Sequence, residues 1–187
     1  MKIYLIAILL VGFVLNISAQ NKNETKFEKP DLPIDETTGK ITYSEVINTS
    51  GSAQDLYDKA LNWYNTYYNN PTDVIREKDP ENKKIVGKAR IKILHAPDKK
   101  GIQTMKGIVL YSIITEFKDN RFKYTVTDIN LKAQSYFPCE KWLDSGSQTY
   151  SEVNNYYLQQ VDEQVKKAIK DLKNHMTAPP EKKAEDW

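Results

Sequence analysis

"IITEFKDNRFKYTVTDI", residues Ile113 to Ile129, contains two runs of β-branched and aromatic residues separated by Lys118-Asp119-Asn120. Asp119 and Asn120 suit a two-residue hairpin turn, whose backbone needs positive φ. Counting outward from that turn sets Phe117 opposite Phe122, Glu116 opposite Lys123, Thr115 opposite Tyr124 and Ile113 opposite Val126. Aromatic meets aromatic on one face and opposite charges meet on the other, so the register is self-consistent. Phe122, Tyr124 and Val126 are expected in a core. Arg121, Lys123, Thr125, Thr127 and Ile129 are expected on the far face, with Lys118, Glu116, Ile114, Ser112 and Leu110 from the partner strand. Asp128 falls on the apolar side opposite Tyr111 and has two readings, a strand-end turn former or a buried acid.

Upstream, "KKIVGKARIKIL" (Lys83–Leu94) alternates in the same way. Ile85, Gly87, Ala89, Ile91 and Ile93 form an apolar row, and Val86, Lys88, Arg90 and Lys92 a mostly basic one. Gly87 and Ala89 are small enough to let a helix approach closely. "GIVLYSIITEF" (Gly107–Phe117) supplies the next strand, Thr72–Glu77 a short preceding one, and Lys40–Ile47 the first. "SAQDLYDKALNWYNTYY" opens with Ser52 three residues before Asp55, a capping box, and continues with Leu56, Ala60, Trp63 or Tyr64, and Tyr67 at helical spacing. Asn69–Pro71 ends it. Residues Leu131 to Gln148 read as an irregular connection. Thr149 then precedes Glu152 by three, and Val153, Tyr157, Val161, Val165, Ala168 and Leu172 make a second apolar helical stripe reaching about Asn174. The order is β-α-β-β-β-β-α, an α+β fold of about five antiparallel strands with two helices on one face.

Lys2, the apolar run Ile3–Leu15 and the small residues before Gln20 have the layout of a secretory signal peptide, with cleavage expected after Ala19. The run is too short to span a bilayer comfortably, so a mature chain without a membrane span is expected. Residues 20–36 read as a flexible leader, 37–175 as a single domain and 176–187 as a disordered tail. Removing residues 1–19 leaves 26 basic and 25 acidic residues, so any electrostatic function must come from how charge is distributed. The localisation expected is periplasmic or extracellular.

The segments "LPIDETTGKITYSEV" (Leu32–Val46), "ALNWY" (Ala60–Tyr64) and "IITEFKDNRFKYTVTDI" resemble an exported domain-of-unknown-function family of Bacteroidota described as having a TATA-binding-protein-like (TBP-like) fold. The resemblance implies a curved antiparallel sheet with helices on its convex side. It implies no activity and transfers no catalytic residue.

Little in the chain points to an enzyme. Cys139 is the one cysteine, and a catalytic thiol would need a base from His95 or His175. The two histidines are 80 positions apart with no cysteine beside either, so metal-site spacing is absent, and no cofactor or metal is expected. No phosphate loop or catalytic serine signature appears. Asp162-Glu163 and Asp35-Glu36 are adjacent carboxylates whose side chains diverge, which suits solvated surface. The surface singled out is the open basic sheet face, with Lys88, Arg90, Lys92, Arg121 and Lys123 as candidate ligand-binding residues. A polar sheet face also fits simple solvation, with lysines guarding against edge pairing. The expected function is a non-enzymatic exported binding or assembly module for an envelope protein or an anionic, amphipathic ligand. The alternatives are a nucleic-acid or other polyanion binder, which export makes awkward, and a hydrolase acting through Asp128.

Overall fold

The computed structural model describes residues 26–148 and 150–179. The apolar run and cleavage site expected within residues 1–19 lie outside them, as do the first part of the leader, Thr149 and residues 180–187. One six-stranded antiparallel sheet is backed on one face by helices. Its strands are β1 (Tyr43–Asn48), β2 (Ile75–Asp79), β3 (Lys84–Leu94), β4 (Met105–Lys118), β5 (Arg121–Lys132) and β6 (Tyr136–Pro138). They lie in the order β1-β5-β4-β3-β2, and β6 pairs with β5. The helices are α1 (Ala53–Tyr67), the single turn α2 (Pro71–Val74) and α3 (Val153–Thr177), with a 3-10 turn at Cys139–Leu143.

The β4–β5 hairpin has the register counted from the sequence, including Phe117↔Phe122, Glu116↔Lys123, Thr115↔Tyr124 and Ile113↔Val126. Asn120 takes φ +60°, the left-handed conformation that a tight turn demands and asparagine tolerates. The turn also seats the first helix. Asp119 Oδ1 accepts from Ala53 N at 2.8 Å, while Asn120 N donates to Gly51 O at 2.9 Å and Thr49 N to Asn120 O at 3.0 Å. The Ser52–Asp55 capping box forms in both directions, satisfying donors that a helix start leaves unpaired.

Helix α1 buries Leu56, Ala60, Trp63 and Tyr64, and α3 buries Tyr157, Leu158, Val161, Val165 and Leu172, all in one cluster with the inner row of the sheet. Trp63 Nε1 donates to Asp171 Oδ1 at 2.8 Å and joins the two helices. Gln160 of α3 reads both backbone groups of Leu94, accepting from its N at 2.9 Å and donating to its O at 3.0 Å. At Gly87 the α1 side chain Tyr64 lies directly against the sheet backbone: a Cβ there would meet Tyr64 Cε1 at 2.8 Å and Ile113 Cγ2 at 3.0 Å.

Several details depart from the sequence reading. The segment expected as a strand over 72–77 begins as helical turn α2, because Pro71 suits a first helical position. The connection Leu131–Gln148 contains the end of β5, all of β6 and the 3-10 turn. Helix α3 starts at Val153 behind Glu152, whose side chain makes no capping bond. The described part of the leader is bound to the fold. The Phe27 ring lies 4.7 Å from that of Tyr156, Asn155 donates to Phe27 O and Ile34 bridges Ile41.

The largest correction concerns Ile129, expected on the open face and found with no exposed surface in the core. Between Ser112↔Thr127 and Leu110↔Asn130, β4 advances two residues and β5 three. The extra residue forms a bulge, which reverses the alternation beyond it. Asp128 sits in this bulge at φ +52°, and its carboxylate meets Lys40 Nζ at 2.6 Å with 44% of the side chain exposed. It is neither a strand end nor a buried acid. The bulge also marks where β5 changes partner, from β1 over Arg121–Val126 to β6 over Asn130–Lys132.

Two stability predictions follow from these contacts. Gly87→Ala must displace the Tyr64 ring, and a loss of about 1–3 kcal/mol in urea unfolding is expected. At position 128, glycine tolerates the left-handed backbone and valine does not. Asp128→Gly should stay within about 0.5 kcal/mol of wild type, and Asp128→Val should lose about 1–2 kcal/mol, both read from chemical denaturation.

Candidate binding face

The face of the sheet away from α1 and α3 presents Val86, Lys88, Arg90 and Lys92 from β3. From β4 it presents Ile108, Leu110, Ser112, Ile114, Glu116 and Lys118, and from β5 Arg121, Lys123, Thr125 and Thr127. The register fixes which of these meet. Lys88 pairs with Ser112, and Ser112 with Thr127, whereas Lys123 pairs with Glu116 and Arg121 with Lys118. The row holding Lys88 and the row holding Lys123 are therefore four residues apart along β4, about 13 Å. The candidate residues fall into two groups.

Lys88 and Arg90 belong to the first group, a cleft of about 220 Å³ that they line with Arg76, Ile108, Leu110, Lys132 and Tyr136. Leu110 forms an apolar floor and is only 7% exposed although it faces away from the helices. The Lys88 ammonium lies 4.7 Å from the Tyr136 ring centroid, a cation–π contact that holds the lysine over an exposed aromatic. Arg90 Nη2 is 3.9 Å from Asp73 Oδ2, both half-exposed, so the carboxylate offsets little of the local positive charge. Lys92, opposite Ile108, stands one outward position beyond Arg90.

Arg121 and Lys123 belong to the second group, at the hairpin end, in a depression of about 350 Å³ shared with Val46, Asn82, Glu116 and Lys118. Here Glu116 stands among the cations. The floor is formed partly by Val46, 55% exposed on β1.

Arg76, Lys132 and Tyr136 were not legible as members of this face. Simple alternation from Arg121 places Lys132 inward, and only the bulge at Asp128 turns it out. Tyr136 belongs to a three-residue strand, too short for alternation to register. Arg76 follows a helical turn that reads as strand, and a signal existed in its position immediately after the apolar Ile75.

Elsewhere the structure organises groups that sequence inspection considered for chemistry. Cys139 is fully buried, and burial, with Glu140 beside it, pushes its thiol up to about 12; a thiolate nucleophile is not available at neutral pH. His95 Nδ1 lies 3.0 Å from the Tyr157 hydroxyl, and His175 Nε2 lies 3.1 Å from Lys59 O. Among the described residues no group of three His, Cys, Asp or Glu side chains is placed to hold a metal ion, and no helix is long and apolar enough to cross a membrane. Asp128 lines a depression with Lys40, Asn130, Glu140 and Lys141, where its carboxylate pairs with Lys40.

Comparison with known proteins bears on the fold. A crystal structure of a DUF4468 family protein from Bacteroides ovatus superimposes with a TM-score of 0.63 at 16% identity, covering 87% of this chain and 99% of that one. A TBP-like protein from Parabacteroides distasonis gives a TM-score of 0.54 at 14% identity over 76% of this chain and 97% of its own. No curated protein matches the chain significantly. The family model described as "Domain of unknown function (DUF4468) with TBP-like fold" matches residues 43–132, from the start of β1 to the end of β5. This sheet-forming part of the chain belongs to that family.

Proposed function

We propose that the protein is a non-enzymatic, exported binding module that takes an anionic, partly apolar ligand on the open face of its sheet. The observation that carries the reading is the first cleft. Arg76, Lys88, Arg90 and Lys132 come from β2, β3 and β5 to surround an apolar floor of Ile108 and Leu110, with Tyr136 at its side. Holding four cations together in a chain of nearly balanced charge disfavours the folded state through mutual repulsion, and an anion relieves it. The apolar floor and aromatic wall would accept a short hydrocarbon or ring attached to the anionic group. At about 220 Å³ the cleft suits a head group or side chain more than a whole drug-sized molecule. Export is supported by the order of Lys2, the apolar run Ile3–Leu15 and Ala19.

A polyanion such as DNA is the second reading, favoured by the presence of cations at both ends of the same face. A sheet that follows a phosphate backbone needs its cations in a continuous track. Ser112, Ile114 and Glu116 interrupt the track here, so the discrete cleft is the better supported site.

Titration with butyl phosphate, followed by backbone amide shifts, tests the assignment. Lys88→Glu/Arg90→Glu should weaken binding by about tenfold or more, while Arg121→Glu/Lys123→Glu, at the other end, should leave it within about twofold. Equal losses from both pairs, together with duplex DNA binding that falls steeply with salt, would move the assignment to a polyanion. No saturable binding by the wild-type protein would remove the cleft reading.

A further inference from the structure

The connection between β3 and β4 lies at the end of the sheet opposite the Asp119–Asn120 turn. It is an ordered loop. His95 N donates to Thr104 O at 2.8 Å, Asp98 N to Ile102 O at 3.0 Å and Gly101 N to Asp98 O at 2.9 Å. The Asp98 carboxylate accepts from Lys100 N at 2.8 Å and Ile102 N at 2.9 Å. Gln103 Nε2 donates to the Tyr156 hydroxyl of α3. The loop's one acid is thus turned onto its own backbone, which leaves Lys99 and Lys100 as its outward charges, both exposed. Lys106, at the start of β4, instead holds its ammonium 5.5 Å from the centroid of the Tyr157 ring of α3.

Among these lysines stand Ile102, 57% exposed, and Met105, 52% exposed. The loop is shaped by backbone bonds, by Asp98 and by Gly101 at φ +79°, so an apolar side chain at position 102 is not needed to form it. More than half of that side chain's surface stays in water, where it contributes nothing to folding. Two large exposed apolar residues within four positions, close in the chain to the exposed Lys99 and Lys100, call for a partner.

We propose that this loop docks on an anionic lipid surface, with Ile102 and Met105 entering the boundary between head groups and acyl chains and Lys99 and Lys100 meeting the lipid phosphates. The composition favours lipid over protein. The core of a protein interface is depleted in lysine, and its anchors are typically tryptophan, tyrosine or arginine. Flexible lysine stems around isolated aliphatic tips suit a fluid, negatively charged surface, where each ammonium stays at the head groups while its stem lies along apolar material. The surface is separate from the cleft at Lys88 and Arg90, and its role does not depend on that assignment.

The test is co-sedimentation with vesicles containing phosphatidylglycerol, compared with vesicles of phosphatidylcholine alone, using the protein in the form the producing cell leaves it. Any contribution from residues 3–15 is common to all variants. The wild-type protein should prefer the anionic vesicles, increasingly so as salt is lowered. Lys99→Gln/Lys100→Gln should weaken partition by about thirtyfold, at roughly fivefold per lysine, and Ile102→Asp by about tenfold or more. Ile102→Trp should bind at least as well as wild type, and brominated acyl chains should quench its added fluorescence, an outcome a misfolded loop would not give. Absence of a preference for anionic vesicles overturns the proposal, as does wild-type partition by both loop variants. Loss of vesicle binding in Lys88→Glu/Arg90→Glu with retention in the loop variants would place the lipid contact on the open face and overturn it too.

Discussion

The two-residue turn at Asp119–Asn120 sets the parity of the two central strands, and the rest of the molecule is arranged around that parity. Side chains in a strand alternate with period two, so a slip of one residue would exchange the core face for the wet face along both strands. The positive φ of Asn120 and the pairing of Phe117 with Phe122 hold the register in place. The same turn receives the start of α1 through Asp119 and the β1–α1 connection through Asn120. A local backbone requirement therefore fixes both which residues are core and where the first helix begins.

A second constraint acts at the other end of β5. The bulge at Asp128 adds one residue, brings Ile129 into the core and turns Asn130 and Lys132 to the open face. It also separates the stretch of β5 paired with β1 from the stretch paired with β6. Without that change of parity Lys132 would face the helices, where an unpaired ammonium is costly. The bulge thus serves packing and the basic cleft together, consistent with the frequent placement of bulges where a strand must re-aim its side chains.

Charge on this protein is segregated although its total is nearly balanced. The inner face of the sheet is aromatic and aliphatic, packed by Trp63, Tyr64 and the α3 stripe. The outer face gathers cations at two places with different surroundings: an apolar floor and a tyrosine at one, Glu116 and an exposed valine at the other. The β3–β4 loop adds a third basic surface, with its acid folded inward. These surfaces differ in what they can hold, because a charge beside an apolar floor discriminates among anions and a charge in open water does not.

The sequence by itself determined the antiparallel hairpin and its register up to Thr127, the inward rows of β3 and β4 and that of β5 as far as Val126, the capped start of α1 and the apolar stripes of both long helices. Each of these is written in local alternation, helical spacing or turn chemistry, which depend on residues close in the chain. Tertiary structure alone decided the parity change at Asp128, the short strand β6 and the gathering of Arg76, Lys132 and Tyr136 beside Lys88 and Arg90. It also decided that Arg121 and Lys123 stand apart from that group. The reason is physical: a bulge is one extra residue, and it stands where β5 changes partner from β1 to β6, pairings with segments distant in sequence. A three-residue strand carries too little pattern to be recognised. The separation of the two basic groups depends on how far each strand runs past its neighbours, which pairing fixes and composition does not.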